Sequence, residues 1–335
     1  MIFIDNEGIT DPSINLAMEE FALRNFDTSE DYLLFYINEP SIIIGRNQNT
    51  LEEINHEYVE ENGIHVVRRR SGGGAVYHDL GNLNFSFLTK YEQGSLHNFK
   101  KFTDPVIRVL QDIGVDAELS GRNDIVVDGR KISGNAQFST SRRMLSHGTL
   151  LLDSDLDEVV NALNVKMSKI ESKGHKSVRS RVANINEFLD EPLGIEEFRS
   201  LLLKGLYNYR DEFETYHLTD EEWERVYELR EKQYGNWDWN YGKSPGFNIQ
   251  RSRRFDIGEI DLRLEVEKGR IENMKIYGDF FGKEPVEELA DRFKGVRYRP
   301  AELKEVLSGV DVTEYFGALP QDHFLQLLYG ADEEE

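Results

Sequence analysis

The chain contains no cysteine. That removes disulfides, thiolate metal sites and thiol nucleophiles together, and it fits a cytoplasmic protein. There is no apolar run of about 18 residues, so no membrane-spanning helix is expected. The start, Met1-Ile2-Phe3-Ile4-Asp5-Asn6-Glu7, lacks both a basic region and a long apolar core, so no secretory signal is expected. Positive charge is scarce, with 40 Lys and Arg against 62 Asp and Glu, a net charge of −22. Nucleic-acid binding needs clustered cations on phosphates, so that class is set aside. Common signatures fail as well. Gly242-Lys243-Ser244 ends like a P-loop, but Trp237 stands where the first glycine belongs. His56-Glu57-Tyr58-Val59-Glu60 has a glutamate in place of the second zincin histidine. There is no Gly-x-Ser-x-Gly elbow.

What is present points to two domains. The chain has 335 residues, 39% of them apolar, with 19 Phe and 15 Tyr, enough for sizeable cores. A helix is predicted from Ile14 to about Asn25, entered through Pro12 and capped by Ser13. Strands are predicted at 33–37, 41–44 and 64–67, with a helix over 52–61 between the last two. Val76–His78 and Leu83–Leu88 flank Asp79-Leu80-Gly81-Asn82 like the arms of a hairpin. Asp128-Gly129 between apolar runs is a strong hairpin signal. Gln137–Thr140 and Leu145–Leu152 read as two further strands. Hairpins with interspersed helices favour a mixed or largely antiparallel sheet over a doubly wound parallel one. After Trp237–Pro245 come three more strands and short helices. The boundary is placed there, giving domains 1–245 and 246–335.

Three stretches carry chemistry. Arg68-Arg69-Arg70-Ser71-Gly72-Gly73-Gly74-Ala75-Val76-Tyr77-His78 joins permanent cations to bare backbone amides, a cradle for phosphate or carboxylate. Taken alone it reads first as a turn with a basic flank. Around the Asp128-Gly129 turn, Asp124 is expected to face Ser133 and Val126 to face Lys131. That puts Asp124, Val126, Lys131 and Ser133 on one face, with Ile125 and Ile132 on the other. Lys131 is then placed to stabilise negative charge, or is an ordinary exposed hairpin lysine. Lys173–Arg181 is a basic, glycine-containing segment able to close over an anion, or a solvated connection. His147 falls near a strand start, a common place for a structural histidine.

Together the three stretches resemble the signature blocks of the lipoate–protein ligases: Arg68 to Asn82, Gly121-Arg122-Asn123-Asp124 with Lys131-Ile132-Ser133-Gly134, and Lys176 to Asn184. The resemblance spans essentially the whole chain. It implies an α/β (α+β) fold: a mixed sheet with flanking helices, like the catalytic core of biotin protein ligases and class II synthetases, plus a small α+β accessory domain. It implies that lipoate and ATP give lipoyl-AMP and pyrophosphate. The lipoyl group then passes to a lysine of a 2-oxoacid dehydrogenase E2 lipoyl domain or of the glycine-cleavage H protein. It makes Lys131 the catalytic lysine, acting without a covalent intermediate. Arg69, Ser71, Gly72, Gly73, Gly74, Ala75, Val76, Tyr77, His78, Asn82, Asn123, Ser133 and His147 become contacts to ATP or the adenylate. Lys176, Arg179 and Arg181 become loop cations, and Asp124 a Mg²⁺-side carboxylate. Related octanoyl or lipoyl transferases generally use a cysteine nucleophile, which this chain lacks. The same stretches would also suit an enzyme that takes a preformed acyl donor, or a non-catalytic lipoate-binding paralogue.

Overall fold

The computed structural model describes residues 1–92, 96–163, 181–210, 212–241, 249–267, 269–298 and 300–329. The chain divides into two compact units. The first comprises Met1–Ile44, Thr50–Arg69 and Ala75–Asn240. The second comprises Gly45–Asn49, Arg70–Gly74 and Tyr241–Glu335.

The first unit is built from β1 (Ile2–Ile4), β2 (Tyr32–Ile37), β3 (Ser41–Ile44), β4 (His65–Arg68), β5 (Val76–His78), β6 (Asn82–Lys90), β7 (Glu118–Ser120), β8 (Asp124–Val127), β9 (Arg130–Ser139), β10 (Arg143–Leu151) and β11 (Thr215–Tyr216). Among the described residues eight of these form one sheet, in the order β11-β1-β2-β6-β10-β9-β8-β7. β1 runs parallel to β2 and β11, and the other pairs are antiparallel, so the sheet is mixed as expected. β4-β3-β5 forms a second, three-stranded sheet.

Strand alternation sends side chains to opposite faces. Leu33 and Phe35 of β2 join Phe85 and Phe87 of β6 in a core with the helices Lys100–Asp112 and Ile195–Leu206. Leu34 and Tyr36 point the other way, onto Leu16, Met18 and Leu23 of the helix Pro12–Asn25.

Several local expectations need correction. The cap of the helix Pro12–Asn25 is Asp11, not Ser13: its carboxylate accepts from Ser13 N at 2.7 Å and Ile14 N at 3.3 Å, leaving Pro12 at the first helical position. The helix expected over 52–61 is two, Thr50–Glu53 and His56–Glu61, because Ile54 makes a bridge to Leu163 and Asn55 caps the second. β5 and β6 do not form a hairpin. β5 pairs with β3, and β6 with β2 and β10. The intervening turn carries the chain from one sheet to the other. Gly81 is needed there: a Cβ would lie 2.1 Å from the Asp153 carbonyl oxygen. Gln137–Thr140 is no separate strand but the end of the ten-residue β9.

In the second unit β12 (Ile249–Phe255), β13 (Gly258–Glu267) and β14 (Arg270–Gly278) form an antiparallel sheet. Leu262, Leu264 and Ile276 pack with Leu289, Phe293, Leu303 and Phe324 of the following helical part. Gly45–Asn49 and Arg70–Gly74 belong to this unit. Arg46 N donates to Ser71 O at 2.9 Å, and Gly278 N donates to Asn47 O at 2.6 Å.

Candidate active site

The Asp128-Gly129 turn has φ of 51° and 73°, the left-handed pair that a tight hairpin requires. Val127 pairs with Arg130 and Val126 with Lys131, as expected. Beyond that the register slips: Ile125 pairs with Ser133 and Asp124 with Gly134. The expected opposition of Asp124 and Ser133 is therefore wrong. An extra residue in β9 makes a bulge, and every later position moves by one. Ile132 and Ile125 are fully buried in the core, the face assigned to them. Ser133 shares the Ile125 side, where its Oγ accepts from Asn135 Nδ2 at 3.1 Å.

The slip leaves Lys131 and Asp124 together nonetheless. Lys131 Nζ lies 2.8 Å from Asp124 Oδ1, with about two-fifths of each side chain exposed, at 36% and 39%. Gly134 makes room for this, since a Cβ there would sit 2.9 Å from Lys131 Nζ. The Lys131 backbone is held by a segment far along the chain. Its N–H donates to Arg181 O at 2.7 Å, and its carbonyl accepts from Ala183 N at 2.9 Å. Arg181 thus meets the lysine through its backbone. Lys176 and Arg179 lie outside the described residues. Asn123 is engaged structurally, with Nδ2 donating to Asn135 O.

A second cluster forms on the same face of the sheet, where His147 of β10 pairs with Ala136, two residues along β9 from Gly134. Glu19 projects from the helix Pro12–Asn25 and accepts a 2.5 Å hydrogen bond from Ser86 Oγ. His147 Nδ1 lies 2.9 Å from the same carboxylate. Tyr36 hydroxyl lies 3.4 Å from it, and burial together with the Glu19 charge raises the phenol well above its ordinary range. His147 is central in β10 rather than at its start, because that strand begins two residues earlier than expected. Glu19 escaped the sequence reading because a lone helical glutamate is usually solvated. The signal lay in its spacing: Leu16, Glu19 and Leu23 occupy one helical stripe, so the carboxylate falls among core positions.

Arg69 is buried, and its guanidinium donates to Ile43 O at 2.8 Å. Burial, partly offset by Tyr36 and Glu19, pulls its pKa down to about 10, so it stays cationic at neutral pH. His78 is buried too, and burial reinforced by the Arg69 and His147 charges pushes it down to about 3. Tyr77 is buried beside it in β5, with Val76 partly exposed. Asn82 is buried, its Nδ2 donating to Asn84 Oδ1 at 3.1 Å. Arg68 is structural: it donates to Trp239 O at 2.9 Å and Thr50 Oγ1 at 2.6 Å.

Ser71, Gly72, Gly73 and Gly74 fall in the second unit, whereas Ala75 begins the next stretch of the first. Gly73 has φ of +92°. A Cβ on Gly72 would lie 2.4 Å from the Phe280 carbonyl oxygen, and one on Gly45 would lie 1.9 Å from that of Gly73. Glycine is therefore dictated at 45, 72 and 73 by backbone approach or a left-handed φ. Gly74 is different, as a Cβ there would meet nothing within 4 Å.

Residues 11–207 match the lipoyl protein ligase A/B catalytic domain, and residues 244–328 match the bacterial lipoate protein ligase C-terminus. The chain belongs to the lipoate–protein ligase family. The ligase is 60% identical to the lipoate-protein ligase LplJ of Bacillus subtilis, covering 98% of this chain and 100% of that one. A solved lipoate-protein ligase A bound with ATP superposes with a TM-score of 0.60 at 32% identity, over 69% of this chain and 94% of the other. A bi-partite archaeal ligase from Thermoplasma acidophilum, described with its E2 lipoyl domain, gives a TM-score of 0.64 at 32% identity, over 74% and 98%. The ligase is thus an acid–protein ligase on the expected mixed α/β fold, with helices flanking the sheet.

Proposed function

We propose that the ligase uses Lys131 as its principal catalytic group, first in adenylation of lipoate and then in transfer. A lipoate carboxylate oxygen attacks the α-phosphorus of ATP, and the bond to pyrophosphate breaks. The acceptor lysine amine then attacks the activated carbonyl, loses a proton, and AMP leaves with the C–O bonding pair. Both steps build negative charge on oxygen, at phosphorus and then at carbon. A fixed cation stabilises both without forming a bond. The carrying observation is Lys131 Nζ held 2.8 Å from Asp124 in the lane left by Gly134, on a backbone pinned from both sides.

In this reading Ser71, Gly72, Gly73, Gly74 and Ala75 offer amides to phosphate oxygens, and Arg69 fixes an anionic group. Val76, Tyr77, Asn82 and His147 complete the walls. The loop cations Lys176, Arg179 and Arg181 serve the adenylate. Asp124 suits Mg²⁺, which takes one or two carboxylates alongside substrate phosphates and neutralises their charge when bound. Its carboxylate is a hard oxygen donor, partly exposed beside Lys131. The acceptors are lipoyl domains of 2-oxoacid dehydrogenase E2 subunits, the glycine-cleavage H protein, or both. Support comes from the archaeal relative described with its E2 lipoyl domain. We assign 1–245 as the catalytic domain and 246–335 as an accessory domain, and place the ligase in the cytoplasm on its cysteine-free composition.

Pyrophosphate release on mixing the ligase with lipoate and ATP tests the reading. Release dependent on lipoate, followed by acylation of an apo lipoyl domain, is the expected result. No pyrophosphate, with acylation still occurring from synthetic lipoyl-AMP, would instead identify a transferase of preformed acyl groups.

A further inference from the structure

A line of four buried polar side chains runs through the first unit outside the lysine hairpin. Asn6 Nδ2 donates to Asn15 Oδ1 at 3.1 Å, and Asn15 Nδ2 donates to Asn38 Oδ1 at 2.9 Å. Asn38 Nδ2 in turn lies 3.0 Å from His78 Nδ1. All four residues are more than nine-tenths buried. The line has a direction. Asn6 and Asn15 each also donate to the Ile9 carbonyl at 2.9 Å, which fixes which end of each amide is nitrogen. Asn38 Oδ1 is held by Asn15, so its NH₂ faces the imidazole. Nδ1 must therefore accept, and the proton sits on Nε2.

Nε2, at the end of this line, is one of ten buried side-chain atoms without a hydrogen-bond partner among the described residues. An unsatisfied buried donor is unfavourable and calls for a cause. The asparagines satisfy one another and the Ile9 carbonyl, and none of these bonds reaches Nε2. The surroundings are mixed: Arg69 and His147 act electrostatically on His78, and Val76, two residues earlier in the same strand, packs against the core that holds Leu34, Tyr36 and Leu145. An acyl group carrying a few acceptor atoms suits such a place.

We propose that His78 Nε2–H is a donor reserved for an acceptor atom of the acyl substrate, and that Asn6, Asn15 and Asn38 are positioning residues that hold His78 in the tautomer able to give it. The inference rests on the ligase reading for the identity of that substrate. The acceptor is a carboxylate oxygen or a dithiolane sulfur of lipoate.

The test is nitrogen-detected NMR of the full chain labelled with ¹⁵N-histidine, read at neutral pH without nucleotide or acceptor. The free ligase is expected to show His78 wholly as the Nε2–H tautomer. Saturating lipoate is expected to shift that proton downfield with the tautomer unchanged. Octanoate, which has the carboxylate but no ring, separates the two acceptors: a shift with both ligands assigns the oxygen, and a shift with lipoate alone assigns the sulfur. Asn38→Asp cannot donate to Nδ1, so the tautomer is expected to invert and lipoate affinity to fall roughly tenfold or more, the loss that follows when a buried polar contact goes unpaired. Asn15→Ala, which leaves Asn38 in place, serves if Asn38→Asp does not fold, and is expected to give a mixture of tautomers with an intermediate loss. A His78 resonance indifferent to both acids, or an inverted tautomer with unchanged lipoate affinity, overturns the proposal. Failure of lipoate to bind the wild-type chain at all counts against the ligase reading instead.

Discussion

Lys131 is a cation with a carboxylate for company, and its proposed work needs nothing more. Lys131→Ala is expected to lower acylation by ~10²–10³-fold or more, the usual effect of deleting one preorganised stabiliser. Far-UV circular dichroism and the melting temperature should stay close to wild type, since the side chain is partly exposed and its backbone bonds remain. Near-normal turnover would remove Lys131 from the mechanism. His78 makes a different prediction. Unfolded, an imidazole takes up its proton near 6.5, whereas in the fold it does so only near 3. Between those values the unfolded chain binds more protons, so stability rises with pH across the window and falls on acidification. Each such proton is worth ~1.4 kcal/mol per pH unit. Urea titrations from pH 4 to 7 should therefore show a steeper slope for wild type than for His78→Gln, and equal slopes would contradict the buried neutral imidazole. At this scale the motif residues were legible because their side chains have few other uses. Glu19 and the asparagine line were not, because burial of a polar group depends on partners that sequence spacing does not name.

Elements were legible where local chemistry decides them. Asp128-Gly129 announces its hairpin because few other residues tolerate both left-handed positions. The slip one turn later was not legible: a bulge depends on what the strand packs against, here the fully buried Ile132. For the same reason β5 and β6 looked like partners, although the backbone of β5 is paired to β3. The bulge has a consequence for Gly134. Its missing Cβ leaves the lane for Lys131, and the nearest obstacles to a methyl group are the mobile Nζ and Cε, at 2.9 and 3.0 Å. Gly134→Ala should therefore cost little stability while pushing the ammonium off Asp124. The expected signature is a fall in kcat of roughly tenfold, the scale set by small misplacements of a reacting group, with the melting temperature nearly unchanged. A variant that loses stability and activity in proportion would show that Gly134 is needed for the strand rather than for the lysine.

Across the whole molecule, two stretches separated in sequence, Gly45–Asn49 and Arg70–Gly74, fold with the C-terminal part of the chain. A linear boundary could not have placed them there, because their assignment comes from close backbone approaches rather than composition. Those approaches separate two kinds of glycine. At Gly45 a Cβ would run into the Gly73 carbonyl, and at Gly72 into that of Phe280, so alanine at either position must displace backbone. At Gly74 a Cβ meets nothing within 4 Å, and its φ lies outside the left-handed region, so the fold gives no reason for glycine. The reason left is a ligand that comes as close as a methyl group would. Gly74→Ala is therefore expected to melt like wild type and to bind lipoate alone normally. Its affinity for ATP should be weaker by roughly tenfold, about 1.4 kcal/mol. Calorimetric titration with each ligand separately measures both quantities. Gly45→Ala should differ by losing stability together with ATP affinity. If Gly74→Ala binds ATP as tightly as the parent, phosphate does not approach the run at that point, and Ser71–Gly73 alone would have to supply the amides.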